Sequence, residues 1–364
     1  MRKGTLALLI SVLLATLWSG CERPEAPAVK AQDHPLYKSY RFSADEKVIE
    51  IGAPTPWSTV SHIIEVMKRD EILKNEMERL GYTVTFYPFL KGEEINHFIK
   101  EGGLEGAIIG DMPALQIAAD GRISVISLFH KGSVSLVSRE YYRVRDLRNK
   151  RVAYPHGSTA HYYLMKLLQE HGMSMADIRP SLMNTNDMFE AMKHGRIDAL
   201  TTFEPTATVF TRIDPTLHTI NRSFSSYGFF IVQKEYAQKH PRAVQALRAA
   251  QFRAMAWLRA SERNLNRASN WVAGGSEQFF SLPLGQQVKD LDSLCAEDLL
   301  RSTVEYSLVM GRDVLGDNGD VSGEFELLKR QGFIPEDKQW HDIKANIDAG
   351  TPKGLRPAIS RISP

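Results

Sequence analysis

Three short stretches combine residue types that recognise small solutes. Gly157-Ser158-Thr159 follows the apolar, β-prone run Arg151 to Tyr154 and opens a helical run reaching His171. A strand passing into a helix there presents unpaired backbone N–H groups, two hydroxyls and the positive end of a helix dipole. Such a setting holds sulfonate, carboxylate and similar oxyanions without a lysine. Ser158 is also the right type to cap its own helix, and capping is compatible with ligand binding. Gly110-Asp111-Met112-Pro113 repeats the arrangement after Ala107 to Ile109: the Asp111 carboxylate fits helix capping, while Gly110 and Met112 are placed to line a cleft. Glu204-Pro205 follows the strand-like Ala199 to Thr202. Glu is a mediocre cap, so its carboxylate is open to a ligand amine or amide as well as to a structural role.

Other side chains gather around these turns. Trp57 and Ser58 would bring an aromatic wall and a hydroxyl to the first strand-to-helix loop, with core packing as the alternative for the indole. His161 lies one turn inside its helix, able to face a cleft or to pack beside Tyr162. Asn184 and Asn186 offer amides at the same rim. Phe129 and Phe203 end strands and would sandwich a flat ligand if both project inward, or fill the core if they do not. Asp198 fits a local turn-holding role. No arginine sits in any of these loops, which favours a hydrogen-bonded oxyanion or a neutral heterocycle over a carboxylate clamped bidentately.

The elements that must position these residues alternate along the chain. Lys47 to Ile51 reads as a strand before a turn at Gly52 to Pro56. A helix follows from Ser58 with Ile63, Ile64 and Met67 at helical spacing, then a strand Thr83 to Tyr87 and a helix Glu93 to Glu101. Strand Ala107 to Ile109, helix Met112 to Ala119 and strand Ile123 to Phe129 complete a first unit. The pattern restarts with strand Arg151 to Tyr154, helix Ser158 to His171, strand Ile178 to Met183, helix Asn186 to Lys193, strand Ala199 to Thr202 and helix Glu204 to Thr211. This alternation predicts α/β architecture with a mostly parallel sheet flanked by helices. Val134 to Ser138 and Phe229 to Val232 read as crossover strands between two lobes. A long helix from Pro241 supplies Val244, Leu247, Gln251, Met255 and Leu258 to the first lobe. Two linkers are the connectivity a hinge requires. The expected divisions are residues 46–135 plus 229–340 for one lobe, 136–228 for the other, and a Pro-containing tail at 341–364.

Composition narrows the function classes. The 364 residues carry 45 Lys and Arg against 43 Asp and Glu, and the two balance once Arg2 and Lys3 are set aside. An uncharged chain lacks the clustered cations that nucleic-acid binding rests on, so no nucleic-acid partner is expected. With only Cys21 and Cys295, neither a zinc or iron-sulfur site nor a disulfide framework can be written, and no metal or cofactor is expected. No GxxxxGK[ST] or GxGxxG turn is present. Residues 1–20 read as a secretory signal, with Arg2 and Lys3 ahead of an apolar run Leu6 to Leu17 too short to span a bilayer. Ser19-Gly20-Cys21 reads as a lipidation site with Cys21 as the modified residue, and residues 21–45 as a tether to the membrane.

Asp146-Leu147-Arg148-Asn149-Lys150-Arg151-Val152-Ala153, Gly157-Ser158-Thr159-Ala160-His161, Gly195-Arg196-Ile197-Asp198-Ala199 and Glu204-Pro205 together resemble a family. It is that of the periplasmic substrate-binding proteins of ABC importers, of the nitrate, sulfonate, taurine and thiamine-pyrimidine-precursor type. Gly110-Asp111-Met112-Pro113 resembles the equivalent loop of the first lobe, and the likeness runs from about Val48 to Ile334. It implies a two-lobed periplasmic-binding-protein fold of type II, with two crossover strands as hinge. It also implies a monomer that closes on a small molecule and docks on a permease with its ATPase. Trp57, Ser58, Gly110, Asp111, Met112, Gly157, Ser158, Thr159, His161, Asn184, Phe203 and Glu204 are the candidate ligand-binding residues. Two rival readings stand beside it: a lyase or dehydratase on the same fold, drafting His161, Glu204 and Asp111 as acid and base, and a ligand-sensing subunit of a signalling receptor. No GxSxG nucleophile motif supports the enzyme.

Overall fold

The computed structural model describes residues 34–54, 59–280, 288–301 and 314–347. The expected signal, Cys21, most of the tether, Trp57, Ser58 and residues 348–364 of the tail lie outside the described residues. Residues 1–41 and 42–364 form separate units. Of the first, the described part includes a short 3-10 turn at Tyr37–Ser39; the rest of the fold is that of the second.

Eight strands form one sheet in the order β2-β1-β3-β8-β4-β7-β5-β6. They are β1 (Val48–Pro54), β2 (Thr83–Phe89), β3 (Gly106–Gly110), β4 (Ile123–Ser138), β5 (Arg151–Tyr154), β6 (Arg179–Leu182), β7 (Ala199–Phe203) and β8 (His218–Gln233). At one end β2, β1 and β3 run parallel; at the other β6, β5 and β7 do. Between them the 16-residue strands β4 and β8 run antiparallel to each other, β8 pairing with β3 and β4 with β7. The sheet is therefore mixed: the two ends are parallel as the alternation suggested, and the middle is antiparallel. Chain reversal through two long strands makes every pairing in the middle antiparallel.

The flanking helices are α1 (Thr59–Met67), α2 (Glu71–Leu80), α3 (Gly92–Lys100), α4 (Asp111–Ala119), α5 (Thr159–Glu170), α6 (Thr185–Lys193) and α7 (Thr206–Ile213). Then come α8 (Lys234–Lys239), α9 (Pro241–Ala260), α10 (Glu262–Phe280), α11 (Val288–Arg301) and α12 (Asp320–Arg330). Pro241 starts α9 where its missing N–H costs nothing. Its stripe of Val244, Leu247, Gln251, Met255 and Leu258 is buried as the spacing required, in a core shared with Ile63, Ile64 and Met67 of α1. Gln251 is buried because its side-chain carbonyl accepts from Ser127 Oγ at 2.8 Å. Asp70 caps α2 by accepting from the Ile72 and Leu73 amides, and its other oxygen pairs with Arg253 of α9 at 2.7 Å.

Three expectations need correction. β1 does not give way to a turn at Gly52: pairing with β2 carries it to Pro54, β3 flanks it at Ile51 and Gly52, and its residues from Ile49 to Ala53 are buried. Ile123 to Phe129 and Val134 to Ser138 are one strand, β4, kept continuous through register shifts near Val125/Ser127, Leu128/His130 and Gly132/Val134. Phe229 to Val232 is the last part of β8, which starts at His218. The actual crossing between the sheet's two ends thus lies in the irregular middle of the β4/β8 pair.

Candidate functional site

Each candidate turn sits where a strand of one parallel end delivers the chain to a helix: β3 to α4, β5 to α5, β7 to α7. In open α/β sheets this carboxyl edge is where ligands are held. Gly110 is the N-cap of α4, and a Cβ added to it would meet nothing within 4 Å, so its backbone borders open space. Gly157 takes φ +65°, the left-handed turn that brings β5 into α5. A Cβ there would come within 3.2 Å of Phe333 and 3.7 Å of Gln116 on α4.

Ser158 caps α5. Its hydroxyl donates to the Pro155 carbonyl at 2.6 Å and accepts from the His161 amide at 3.4 Å. The amides of Thr159 and Ala160 precede the first intrahelical donor and, like every first turn, have no partner in their own helix. Thr159 is 2% exposed, and its hydroxyl donates to Asp111 Oδ1. This bond joins α5, rooted in the β6-β5-β7 end of the sheet, to α4, rooted in the β2-β1-β3 end.

Asp111 does not cap its helix in the usual way. Oδ1 accepts from the adjacent Met112 amide at 2.8 Å as well as from Thr159, and Oδ2 accepts from the Tyr227 amide of β8 at 2.8 Å. The side chain is wholly buried, and burial pushes its pKa up to about 6 even though the three donors pull it down. Met112, expected to line the cleft, is buried at 1% exposure.

His161 turns back on its own loop. Its ring stacks on Tyr154 with centroids 4.6 Å apart and lies 5.3 Å from His156, while Nδ1 accepts from the Gly157 amide at 3.4 Å. Burial, helped by the nearby His156, lowers its pKa to about 4, so the ring is neutral near pH 7. Phe203 is half-buried against the core around Leu164 and Val134. Asn184 is the half-buried N-cap of α6 and makes no side-chain capping bond. The side chains of Phe129 and Asn186 lie outside the described residues.

Glu204 has both oxygens engaged inside the protein. Ser135 Oγ donates to Oε1 at 2.6 Å and the Thr208 amide to Oε2 at 3.0 Å. Arg222 stands beside it, Nε 3.8 Å from Oε1, donating to Ser133 Oγ and pairing with Glu297 of α11 at 3.1 Å. The rim does carry an arginine, contributed by β8 and not by a loop. Sequence reasoning missed it because the Ser-rich stretch around it has no apolar alternation. Asp198 does not act within its own turn as expected: its carboxylate accepts from the Arg151 amide at 2.7 Å and from the Arg151 guanidinium, tying the chain entering β7 to the start of β5.

The comparisons agree with the resemblance drawn from the motifs. The family described as NMT1/THI5 like matches residues 123–263. A taurine-binding periplasmic protein of Escherichia coli (strain K12) is 23% identical over 206 residues, 54% of this chain and 63% of that protein. The alignment therefore spans less than two thirds of that curated relative. Among solved structures, the alkanesulfonate-binding protein of Xanthomonas axonopodis pv. citri bound to MOPS superposes with a TM-score of 0.60 at 18% identity. It covers 84% of this chain and 99% of its own. The periplasmic nitrate-binding protein of Synechocystis PCC 6803 gives 0.62 at 12% identity, covering 83% and 86%. The fold is that of the periplasmic binding proteins.

Proposed function

We propose that the protein captures a small solute between two lobes, one built on each parallel end of the sheet, and delivers it unaltered to an ABC permease and its ATPase. The observation that carries this reading is the meeting of the α4 and α5 N-termini from opposite ends of one sheet, bridged by Thr159 and Asp111. Open space in front of Gly110 and the first-turn amides of α5 supply room and donors for the polar head of a ligand. The ligand class is a sulfonate-like oxyanion or a heterocycle. Taurine, alkanesulfonate and nitrate in the names of the relatives support the oxyanion. The backbone amides of the Gly157-Ser158-Thr159 turn would bind the oxyanion, with Gly110 facing it from the other lobe; the Ser158 and Thr159 hydroxyls are committed to Pro155 and Asp111, and Met112 is buried.

Closure is a population shift, so its free energy must come from contacts the solute makes with both lobes at once. The irregular middle of the β4/β8 pair is the place for the hinge. The protein acts as a monomer on the periplasmic side of the envelope, held there by lipid on Cys21, and performs no chemistry on its cargo.

A thermal-shift screen of the purified protein against taurine, short alkanesulfonates, nitrate and aminopyrimidines tests this reading. A ligand at a hundred times its Kd adds about 2.7 kcal/mol, a rise of several degrees in Tm. A folded protein that no member of the panel stabilises, or that returns a taurine or sulfonate chemically altered by mass spectrometry, would overturn it.

A further inference from the structure

The solute-binding reading uses Asp111 but leaves unexplained what lies against it. Glu324, on α12, is 0% exposed. Neither of its oxygens meets an N–H or O–H donor among the described residues, and its carboxyl faces that of Asp111 within hydrogen-bonding reach. We infer that Glu324 is held as a neutral carboxylic acid that donates its proton to Asp111, and that this shared proton positions Asp111 to receive Thr159 from the other end of the sheet.

Lone-pair counting assigns the proton. A carboxylate offers about four acceptor directions and no donor. Asp111 already accepts from the Met112 amide, the Thr159 hydroxyl and the Tyr227 amide, which suits an ionised group with room for one more donor. Glu324 has no such donors, and two buried carboxyls side by side do not both ionise. The arrangement that satisfies both is Asp111 charged and Glu324 protonated, its O–H filling the last position on Asp111.

Among the described residues, the surroundings give no cation that would reverse this. From α5, Lys166 donates to Asp320 Oδ1 at 3.3 Å and pulls the Glu324 carboxyl down by less than burial, Asp111 and Asp320 each push it up; Tyr162 lies beside Gly323, where an added Cβ would fall 2.5 Å from its hydroxyl. From β8, the Tyr227 hydroxyl donates to Asp320 Oδ2 at 2.8 Å. From α12 itself, Asp320 adds negative charge near Glu324, while Arg330 acts on Tyr162. From α3, Asn96 donates to the Pro113 carbonyl and Lys100 pairs with Asp120 at 2.7 Å. The helix Trp340–Lys344, also packed on α4, keeps His341, Asp342 and Lys344 exposed. Burial, then the charges of Asp111 and Asp320, raises the Glu324 carboxyl well above the ordinary carboxylic range, in keeping with the proton's place.

The sign of the pH dependence follows. Above the ordinary value of about 4.3 the unfolded chain has released this proton while the folded protein keeps it. Stability from the pair is full in acid and is lost as pH rises towards the raised folded value.

Infrared spectroscopy of the purified full chain tests the proton directly. At pH 7 wild type should show a protonated-carboxyl carbonyl band that Glu324→Gln removes. The wild type should lose stability relative to Glu324→Gln as pH rises, since the amide donates to Asp111 at every pH. A wild-type band that titrates away below about pH 5, as an ordinary carboxyl would, overturns the inference. So does a band that survives in Glu324→Gln and vanishes in Asp111→Asn. If Glu324→Gln fails to fold, the wild-type infrared titration alone decides. The positioning role rests on the solute-capture reading, whereas the band reports the proton whether or not any solute binds.

Discussion

The two turns that meet at the junction have the same outline and opposite chemistry. The α5 turn is neutral: Ser158 caps with a hydroxyl, His161 is uncharged, and the first-turn amides are donors without a partner in their own helix. The α4 turn is an acceptor: Asp111 gathers donors from its own helix, from β8 and from α5 onto one buried carboxyl. A ligand anion is therefore suited to the α5 side, while the α4 side supplies the anchor that brings α5 into register. An oxyanion placed against Asp111 would meet like charge in a buried setting, an unfavourable arrangement.

The contrast breaks first at Asp111. Asp111→Ala strands the Tyr227 and Met112 amides, the Thr159 hydroxyl and the Glu324 acid together. With a buried unsatisfied group costing about 1–3 kcal/mol, a loss on the order of 3 kcal/mol in urea denaturation is expected. A loss under about 1 kcal/mol would mean the side chain is not the anchor drawn here.

A smaller effect sharpens the comparison through pH. His161 has its folded pKa below the free value, so its contribution is present at neutral pH and is lost as pH falls from about 6.5 towards about 4. Asp111, raised to about 6, works in the opposite direction and loses its contribution as pH rises through the same window. His161→Phe, which keeps a ring against Tyr154, should flatten the acid limb of the stability profile and leave the limb set by Asp111 and Glu324. An unchanged acid limb in that variant would place the proton-sensitive group elsewhere.

Much of this fold was legible where burial follows a short period. Ile63, Ile64 and Met67 announced α1, and the stripe from Val244 to Leu258 announced α9, because each buries a continuous face. Helix α2 was not legible: half of Glu71–Leu80 is charged and it buries only Leu73 and Met77, its position depending on the Asp70 cap and on Arg253 far along the chain. The first half of β8 hid for a related reason, since His218 to Ser226 carries only Ile220 and Phe224 among polar residues, too sparse for an apolar alternation, and is held as a strand by pairing with β4. Within the site, Gly157, Ser158 and Thr159 were readable as a strand-to-helix turn. Asp111 was read as the cap of its own helix because local sequence shows only local partners. Thr159, Tyr227 and Glu324 reach it through tertiary contact, which no spacing encodes.

Hinged capture is tested most directly by solution X-ray scattering of the purified protein, with and without the tightest-binding solute of the thermal-shift panel. Closure of two lobes about the β4/β8 crossing requires a smaller radius of gyration at saturating solute, and a weaker contraction in Thr159→Val. A radius of gyration that does not change while calorimetry shows the site full would contradict it.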